Sequence, residues 1–454
     1  MATVTALANA IAGLSFSDLD DDLIESARKR VFDTLGATAV GLHTEEGQQL
    51  RRLFVRMTAG IDATGNIIEN IRLYVGATRA TEIDDIDIRS CTTVGSVIVP
   101  VALAIAAARS DVPDRTVLLS IICGYEAMIR LGRAIDGAEI LYRGVWPTYV
   151  TAPFAAAAAA AKLLELDART TAQALLMALS RSTSLPSGTR GLAHRQYALG
   201  CAAAEGYVAC QAAASGFTLD DSILKTFGRV IGVPFDGPLL DDDPGNDWKI
   251  AEPDVKYFAT ARQALAGIEA FLQLVSTDNT ADDIEQVIVW IPSQYQDMID
   301  RPNWPISRLE SLLSQQYQLA LAAVKPEQLY DTCRQPISDD RETMLSLMSR
   351  ISIVSDPGLT RSFPEQWGSR VTVKWRSGTE SSADIMEPFG SGKRDLEWLS
   401  LVRKLERIIP EVRHGEGVPD LQKLYRECRA MGQIAGGRTA AGLLSKINLM
   451  SDIN

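Results

Sequence analysis

The spacing of apolar residues changes along this chain, and that change limits the fold more than any other feature of the sequence. In the first part, apolar residues recur at three- and four-residue steps, as in the run from Ile24 to Leu35, which is the period of a helix with one buried face. Ser17 precedes this run and predicts its N-terminal cap, and Gly41 predicts its end. The same pattern predicts helices over 97–109, 116–135, 152–164, 168–180, 197–214 and 260–274. Alanine and glycine are abundant in several of these segments and let helices approach closely, so we expect a compact helical body.

Strand signals replace the helical pattern after residue 274. Runs of β-branched residues, or of apolar residues alternating with polar ones, predict strands at 287–291, 351–354 and 370–375. Ser377 and Gly378 separate the third run from the segment that ends at Ile385, which predicts a hairpin. Residues 309–323 are predicted to form a helix between the strands. This part of the chain is therefore predicted to be a small α+β unit.

The helical pattern resumes at Trp398, after the loop formed by residues 390–393. A chain of 454 residues exceeds what one hydrophobic core usually serves, so two domains are expected. We predict a mainly α fold with an inserted α+β domain. The all-helical domain would consist of residues 1–268 and 394–454, and the smaller α+β domain of residues 269–393.

Charge and cysteine usage exclude several classes of function. The net charge of −12 argues against a general nucleic-acid surface, because phosphate binding needs clustered Lys and Arg; a small anionic substrate would need a local cluster of cations. The six cysteines show no metal-ligand or disulfide spacing, and no P-loop, dinucleotide-binding or HExxH motif is present. Residues 1–14 lack the cationic start of a signal peptide, and the apolar stretches at 97–108 and 152–166 do not suit a membrane span. We expect a cytoplasmic protein.

Five segments in a fixed order carry a family resemblance that spans most of the chain. They are RVFDTLGATAVGL at 30–42, ATEIDDIDIRSCTTVGSVIVPVALAIAAA at 80–108, GYEAMIRLGRAI at 124–135, GVWPTYVTAPFAAAAAAAKLLELD at 144–167 and KYFATARQALAGIEAFLQL at 256–274. Together they resemble the MmgE/PrpD family. The resemblance implies a two-domain homodimer whose active site lies at the domain junction. It further implies an enzyme that acts on small polycarboxylates without metal or cofactor, several members removing a proton next to a carboxylate.

The chain departs from the family at histidine positions. Where the dehydratase-like members carry histidine, this sequence has Thr81, Thr93, Trp146 and Leu265, and its only histidines are His43, His194 and His414. Dehydration needs a proton donor for the departing hydroxide, a task that histidine commonly performs near neutral pH. We therefore predict that the chain resembles the epimerases of the family and epimerises iminodisuccinate by abstracting and returning the α-proton.

Two other functions stay open at this point. One is a dehydratase or decarboxylase of a tricarboxylate such as 2-methylcitrate or cis-aconitate, in which Tyr, Lys or Asp would replace the missing histidines. The other is a non-catalytic helical protein that has lost its chemistry together with those histidines. Formation of an unsaturated acid would distinguish a lyase from an epimerase, which changes only handedness, and a non-catalytic protein would exchange no substrate protons.

Five residues are candidates for the acid–base work. By the resemblance, Asp84 matches an aspartate of the family's acidic motif, where it would orient a basic side chain or act as a base, and Lys256 matches a family lysine. Burial near other cations would let a lysine act as a base, because it disfavours the charged form. His194 sits beside Arg195, before an alanine-rich helix, and Tyr142 and Tyr149 flank the sequence RGVWPT, where the family's pocket loop should be. Each of these three side chains could exchange a proton with carbon.

Three arginines are candidates for binding the substrate's carboxylates, since a guanidinium presents two parallel donors to a carboxylate. Arg89 follows the acidic motif, Arg195 stands where the family usually has lysine, and Arg262 matches the family's arginine or its neighbour. Trp146 could keep water out of the site, and Tyr317 lies in a segment similar to the one by which the family's second domain reaches the site. Of the remaining acidic residues, Asp87 also matches the family motif, whereas Asp85 is expected to be exposed.

Overall fold

A computed structural model describes most of the chain. The described residues are 3–60, 62–63, 65–109, 111–184, 191–245, 247–275, 281–336, 339–392, 397–409 and 420–447. His414, and residue 393 of the loop predicted at 390–393, lie outside them. The chain divides into two compact units: the first comprises Met1–Thr189, Ala193–Pro253 and Glu397–Asn454, and the second Arg190–Leu192 and Asp254–Leu396.

Helices account for most of the described residues. In chain order they are α1 (Thr5–Gly13), α2 (Asp21–Gly41), α3 (Glu45–Met57), α4 (Ile67–Ala80), α5 (Gly95–Ala108), α6 (Asp114–Ala134), α7 (Gly137–Ile140), α8 (Pro147–Leu163), α9 (Ala168–Arg181), α10 (His194–Ala214), α11 (Ser222–Ile231), α12 (Arg262–Leu274), α13 (Gln296–Ile299), α14 (Arg308–Ser311), α15 (Gln315–Val324), α16 (Arg341–Met348), α17 (Pro357–Ser362), α18 (Trp398–Ile408), α19 (Leu421–Ala430) and α20 (Leu443–Ile447). The strands are β1 (Ile284–Ile291), β2 (Ile351–Ser355), β3 (Ser369–Trp375) and β4 (Glu380–Ile385). Within the described ranges, no helix has both the length and the apolar composition needed to cross a membrane.

The first unit is built around α8, against which α6, α9 and α10 pack. The alanines of α8 between Ala155 and Ala161 are fully buried, and their small side chains let the neighbouring backbones come close. Gly206 of α10 shows how close, because a Cβ at that position would lie 2.2 Å from the carbonyl oxygen of Pro153. The alanine and glycine content of these segments therefore has a packing cause.

The second unit contains a four-stranded sheet with the order β2-β1-β3-β4. Strand β1 pairs with β2 in parallel and with β3 in antiparallel orientation, and β3 and β4 form an antiparallel hairpin. The hairpin turn contains Gly378, whose φ of +84° lies in the left-handed region that glycine adopts without steric cost. Helix α12 packs on β3 and β4 and also contacts α15. The prediction of a mainly α fold with a smaller α+β part is confirmed.

Local details differ from the predictions. The cap of α2 is Asp20, which accepts a hydrogen bond from the N–H of Leu23 at 2.8 Å, so Ser17 was the wrong choice. The helix predicted over 309–323 is two helices, because Ser314 caps a new helix, α15, by accepting from the N–H of Tyr317. The division between the units falls before Asp254, whereas the sequence pattern placed it after residue 268. Its physical reason is that α12 packs on the sheet.

Candidate functional site

The acidic loop, residues 82–87, lies between α4 and α5 in the first unit. Its three aspartates are at most 3% exposed, and each carboxylate is paired with a different arginine. The pairs are Asp84 with Arg79 at 3.4 Å, Asp85 with Arg30 at 3.5 Å and Asp87 with Arg133 at 2.9 Å. Because isolated buried charges are very unfavourable, these pairs are what allows the loop to be buried.

Asp85 was expected to be exposed, and that expectation is wrong. Its carboxylate accepts hydrogen bonds from the N–H of Gly95 at 2.6 Å and from the hydroxyl of Tyr125 at 2.7 Å. Burial raises the pKa of Asp85, although Arg30 and these two donors oppose the rise. Asp85 thus ties the acidic loop to the first turn of α5 and to the middle of α6.

Asp84 lies beside Arg79, a buried arginine that is not among the site residues predicted from the sequence. Arg79, in the last turn of α4, contacts Glu82 at 2.7 Å in addition to Asp84. Burial by itself would lower the pKa of Arg79, but the charges of Asp84 and Glu82 raise it above its ordinary value. Asp84 is therefore placed where it can orient a cation, and its catalytic role stays a prediction. The three-residue spacing of Arg79 and Glu82 at a helix end is a sequence signal that could have identified Arg79.

Arg79 belongs to a group of side chains around one indole, which we name the Trp146 cluster: Arg79, Trp146, Tyr149 and Arg195. The guanidinium carbon of Arg195 lies 3.7 Å from the centroid of the Trp146 ring, and that of Arg79 lies 6.0 Å away. Tyr149 stacks on the same indole with a centroid distance of 6.0 Å. Cation–π contacts of this kind are stronger when desolvated, and here Trp146 is 5% and Arg195 9% exposed. The structure thus brings together three predicted site residues and one that was missed.

Other predicted residues of the first unit are not enclosed in this way. Arg89 and His194 are exposed, and Tyr142 is half-buried. The His194 ring packs at 6.0 Å from the ring of Tyr197, near the start of α10. The substrate-binding role of Arg89 and the catalytic roles of His194 and Tyr142 stay predictions.

The positions where the family's dehydratase-like members have histidine carry buried side chains that do not titrate. Thr81 donates to the carbonyl oxygen of Thr78 at 2.7 Å, and the N–H of Thr93 donates to the hydroxyl of Thr148 at 3.1 Å. Trp146 lies in the cluster described above, and Leu265 is 3% exposed in α12. No acid–base group takes over at these four positions.

His43 is half-buried at the end of α2, and it supplies a prediction about pH. Burial, and to a lesser degree the charge of Arg51, lowers its pKa. Because the folded-state pKa lies below the unfolded one, its contribution to stability is present above the unfolded pKa and is lost as the pH falls through the folded pKa. His43→Gln should therefore flatten the loss of stability as the pH falls below about 6.5, the ordinary pKa of histidine. Urea unfolding at several pH values measures this, with the exposed His194→Gln as control; an equal slope in wild type and His43→Gln would contradict it.

The second unit buries its own cations. Lys256 is 1% and Arg262 3% exposed, and the Nε of Arg262 donates to Asp254 at 2.6 Å. Tyr317 is 2% exposed and forms a hydrogen bond with Arg334. Burial raises the pKa of Tyr317 and lowers that of Arg334 to about 10. Of the described residues, no group of three or more His, Cys, Asp or Glu side chains could hold a metal ion.

The helical body and the α+β unit agree with the two domains that the resemblance implied. The model of the MmgE/PrpD N-terminal domain matches residues 5–238, and that of the C-terminal domain matches residues 258–418. The chain therefore belongs to the MmgE/PrpD family.

Three curated relatives give this family membership a chemical context. The chain is 22% identical to cis-aconitate decarboxylase of Mus musculus, over 99% of this chain and 96% of the relative. It is 25% identical to cis-aconitate decarboxylase of Homo sapiens, over 69% of this chain and 68% of the relative. It is also 28% identical to the cis-aconitate decarboxylase-like protein oryM of Aspergillus oryzae, over half of each chain. The family thus contains enzymes. Two of these relatives are named as decarboxylases, which are lyases, and the third is named as decarboxylase-like.

Proposed function

We propose that this protein decarboxylates a small tricarboxylate, with cis-aconitate as the first substrate to test. The observation that carries the proposal is the Trp146 cluster, in which two arginines lie over an indole that occupies a histidine position of the dehydratase-like members. A departing CO₂ is neutral and needs no proton, whereas a departing hydroxide does. A site with buried cations and no histidine at those positions therefore suits decarboxylation better than dehydration. The curated relatives point to the same reaction.

In the proposed reaction, the C–C bond to one carboxylate breaks and CO₂ leaves. The electron pair of that bond forms a new double bond to the adjacent carbon. The pair of the former double bond moves to its far carbon, which takes up a proton, so that an unsaturated dicarboxylate forms. Negative charge develops towards the remaining carboxylates during this step, and Arg195 and Arg79 would stabilise it electrostatically. The indole of Trp146 would exclude water from the breaking bond. Tyr149, stacked on that indole, is our candidate for the proton donor.

Epimerisation of iminodisuccinate is the second candidate. The lack of an acid–base side chain at the four histidine positions of the dehydratase-like members favours it, because an epimerase has no leaving group to protonate. These positions carry Thr81, Thr93, Trp146 and Leu265. It requires two acid–base groups on opposite faces of one carbon, whereas decarboxylation requires one proton donor. In the first unit, Asp84 is held in an ion pair and His194 is exposed, which leaves few groups for a second base. The homodimer implied by the resemblance and the cytoplasmic location expected from the sequence also stay proposals.

One experiment separates the two candidates. The protein is incubated in deuterium oxide with cis-aconitate, and in parallel with single stereoisomers of iminodisuccinate, and both are followed by proton NMR and chiral separation. We expect cis-aconitate to give CO₂ and an unsaturated dicarboxylate with deuterium at the newly protonated carbon. Deuterium uptake with inversion of iminodisuccinate alone would replace the decarboxylase proposal by the epimerase. Failure of both substrates, with 2-methylcitrate also inert, would favour the non-catalytic alternative.

A further inference from the structure

The loop that follows β4 is fixed to the segment around Asp254 by backbone contacts. We name residues 389–392 the Ser391 loop. The N–H of Val255 donates to the carbonyl oxygen of Gly390 at 2.7 Å. Gly390 has a φ of +90°, and a Cβ there would lie 2.2 Å from the carbonyl oxygen of Val255, so only glycine fits. A second anchor is the N–H of Phe389, which donates to Glu269 of α12 at 2.7 Å.

A single carboxylate joins this loop to Arg262. One oxygen of Asp254 accepts from the N–H of Gly392 at 2.8 Å, and the other accepts from the Nε of Arg262 at 2.6 Å. The guanidinium carbon of Arg262 lies 5.9 Å from the centroid of the fully buried Trp367 ring. Ser391 precedes Gly392 and is 5% exposed, whereas Gly392 itself is exposed, so the loop lies near the surface of the second unit.

Polar atoms around this carboxylate have unused hydrogen-bonding capacity. Within the described part of the chain, the Nη1 of Arg262, the Oγ of Ser391 and the Nε1 of Trp367 are buried and have no hydrogen-bond partner. Leaving a buried donor without an acceptor is unfavourable, and the penalty is larger for a charged group. All three atoms can donate, and an anion presents only acceptors, so an anion bound beside Arg262 would supply acceptors that the protein itself does not.

We infer that Arg262 and the Ser391 loop form a carboxylate-binding subsite, in which the Nη1 of Arg262 and the hydroxyl of Ser391 donate to one carboxylate group. Asp254 positions both groups, Arg262 through its Nε and Ser391 through the N–H of the neighbouring Gly392, and it leaves the Nη1 of Arg262 without a hydrogen bond. The subsite deepens the proposed function, on which its assignment to a polycarboxylate substrate rests. Ser391 would then be a specificity residue, whereas the sequence pattern predicted only that it lies in a loop.

The test measures binding and turnover separately. Tricarballylate, a saturated tricarboxylate that cannot undergo the proposed reaction, is titrated into wild type, Ser391→Ala and Arg262→Lys by calorimetry. We expect Ser391→Ala to weaken its binding about tenfold, the effect of losing a hydrogen bond to a charged acceptor, and to raise KM by a similar factor with kcat nearly unchanged. Ser369→Ala is the matched control, because Ser369 is a buried serine of the same unit whose hydroxyl already donates to the carbonyl oxygen of Trp290 at 2.9 Å.

The outcomes separate this inference from the proposed function. Weaker tricarballylate binding in Ser391→Ala but not in Ser369→Ala supports the subsite, even if no tested substrate is turned over. Equal affinity of wild type and Ser391→Ala, or no binding to wild type, overturns the subsite, even if cis-aconitate is decarboxylated. Ser391→Ala should fold like wild type because it removes a hydroxyl without a partner, so it remains informative if Arg262→Lys disrupts the pair with Asp254.

Discussion

Arg195→Met is expected to lower kcat/KM for the tricarboxylate by about a hundredfold to a thousandfold. In the proposed complex, Arg195 pairs with a carboxylate of the substrate. Truncating one partner of a buried charge pair costs about 2–5 kcal/mol, and about 1.4 kcal/mol corresponds to a factor of ten in rate. Arg195 is 9% exposed and stacks on Trp146, so little solvent is available to replace its charge. Steady-state kinetics by product NMR, well below the melting temperature of each variant, measures the loss.

Two further variants show whether charge or shape matters at this position. Arg195→Lys keeps the charge but loses the flat guanidinium that lies 3.7 Å from the Trp146 centroid, so we expect intermediate activity. Arg229→Met removes an exposed arginine of α11 that has no predicted role in the site, and it is expected to change kcat/KM by less than about threefold, since exposed charges are screened. If Arg195→Met lowers the melting temperature but keeps wild-type kinetics, the stack on Trp146 is structural and the proposed role of Arg195 fails.

The regular elements were predictable because their signals are local. The apolar period of three to four residues locates α2, α5, α6, α8, α9 and α10, and the β-branched runs locate β1, β2 and β3. Helices that begin after a polar cap without a long apolar stripe were missed, as with α3, which is capped by Thr44. The packing of α12 on the sheet was also missed, since it depends on where the sheet lies and not on the helix sequence.

The candidate site was less predictable because its contacts are long-range. Asp85 looked solvated in a run of acidic residues, yet Arg30 and Tyr125, which pair with it, come from α2 and α6. No local pattern links residues so far apart in sequence. The family resemblance predicted Arg195 and Trp146 individually, but their stacking depends on the fold, which brings α10 next to the start of α8. Ser391 gave no chemical signal, because a serine between two glycines is typical of any turn.

Lys404→Met is expected to lower the free energy of unfolding by about 3–5 kcal/mol, because it leaves a buried carboxylate without its partner. The Nζ of Lys404 donates to Asp33 at 2.6 Å and to the carbonyl oxygen of Ile83 at 2.8 Å. The side chains of Lys404 and Asp33 are 0% and 3% exposed. Urea unfolding gives the change. Because Ile83 belongs to the acidic loop, the variant should also disturb Asp84.

A double-mutant cycle distinguishes a loss of pairing from a loss of packing. Asp33→Leu alone leaves a buried ammonium group and should be about as unfavourable as Lys404→Met, whereas the double variant should regain more than half of the lost stability, since two apolar side chains can replace a buried ion pair. Lys374→Met is the matched control: its partner Glu380 lies 3.5 Å away with both side chains exposed, so its removal should change stability by under about 1 kcal/mol. Strictly additive losses in the double variant would show that the Lys404–Asp33 pair has no interaction energy of its own, and the acidic loop would then be held mainly by its three arginines.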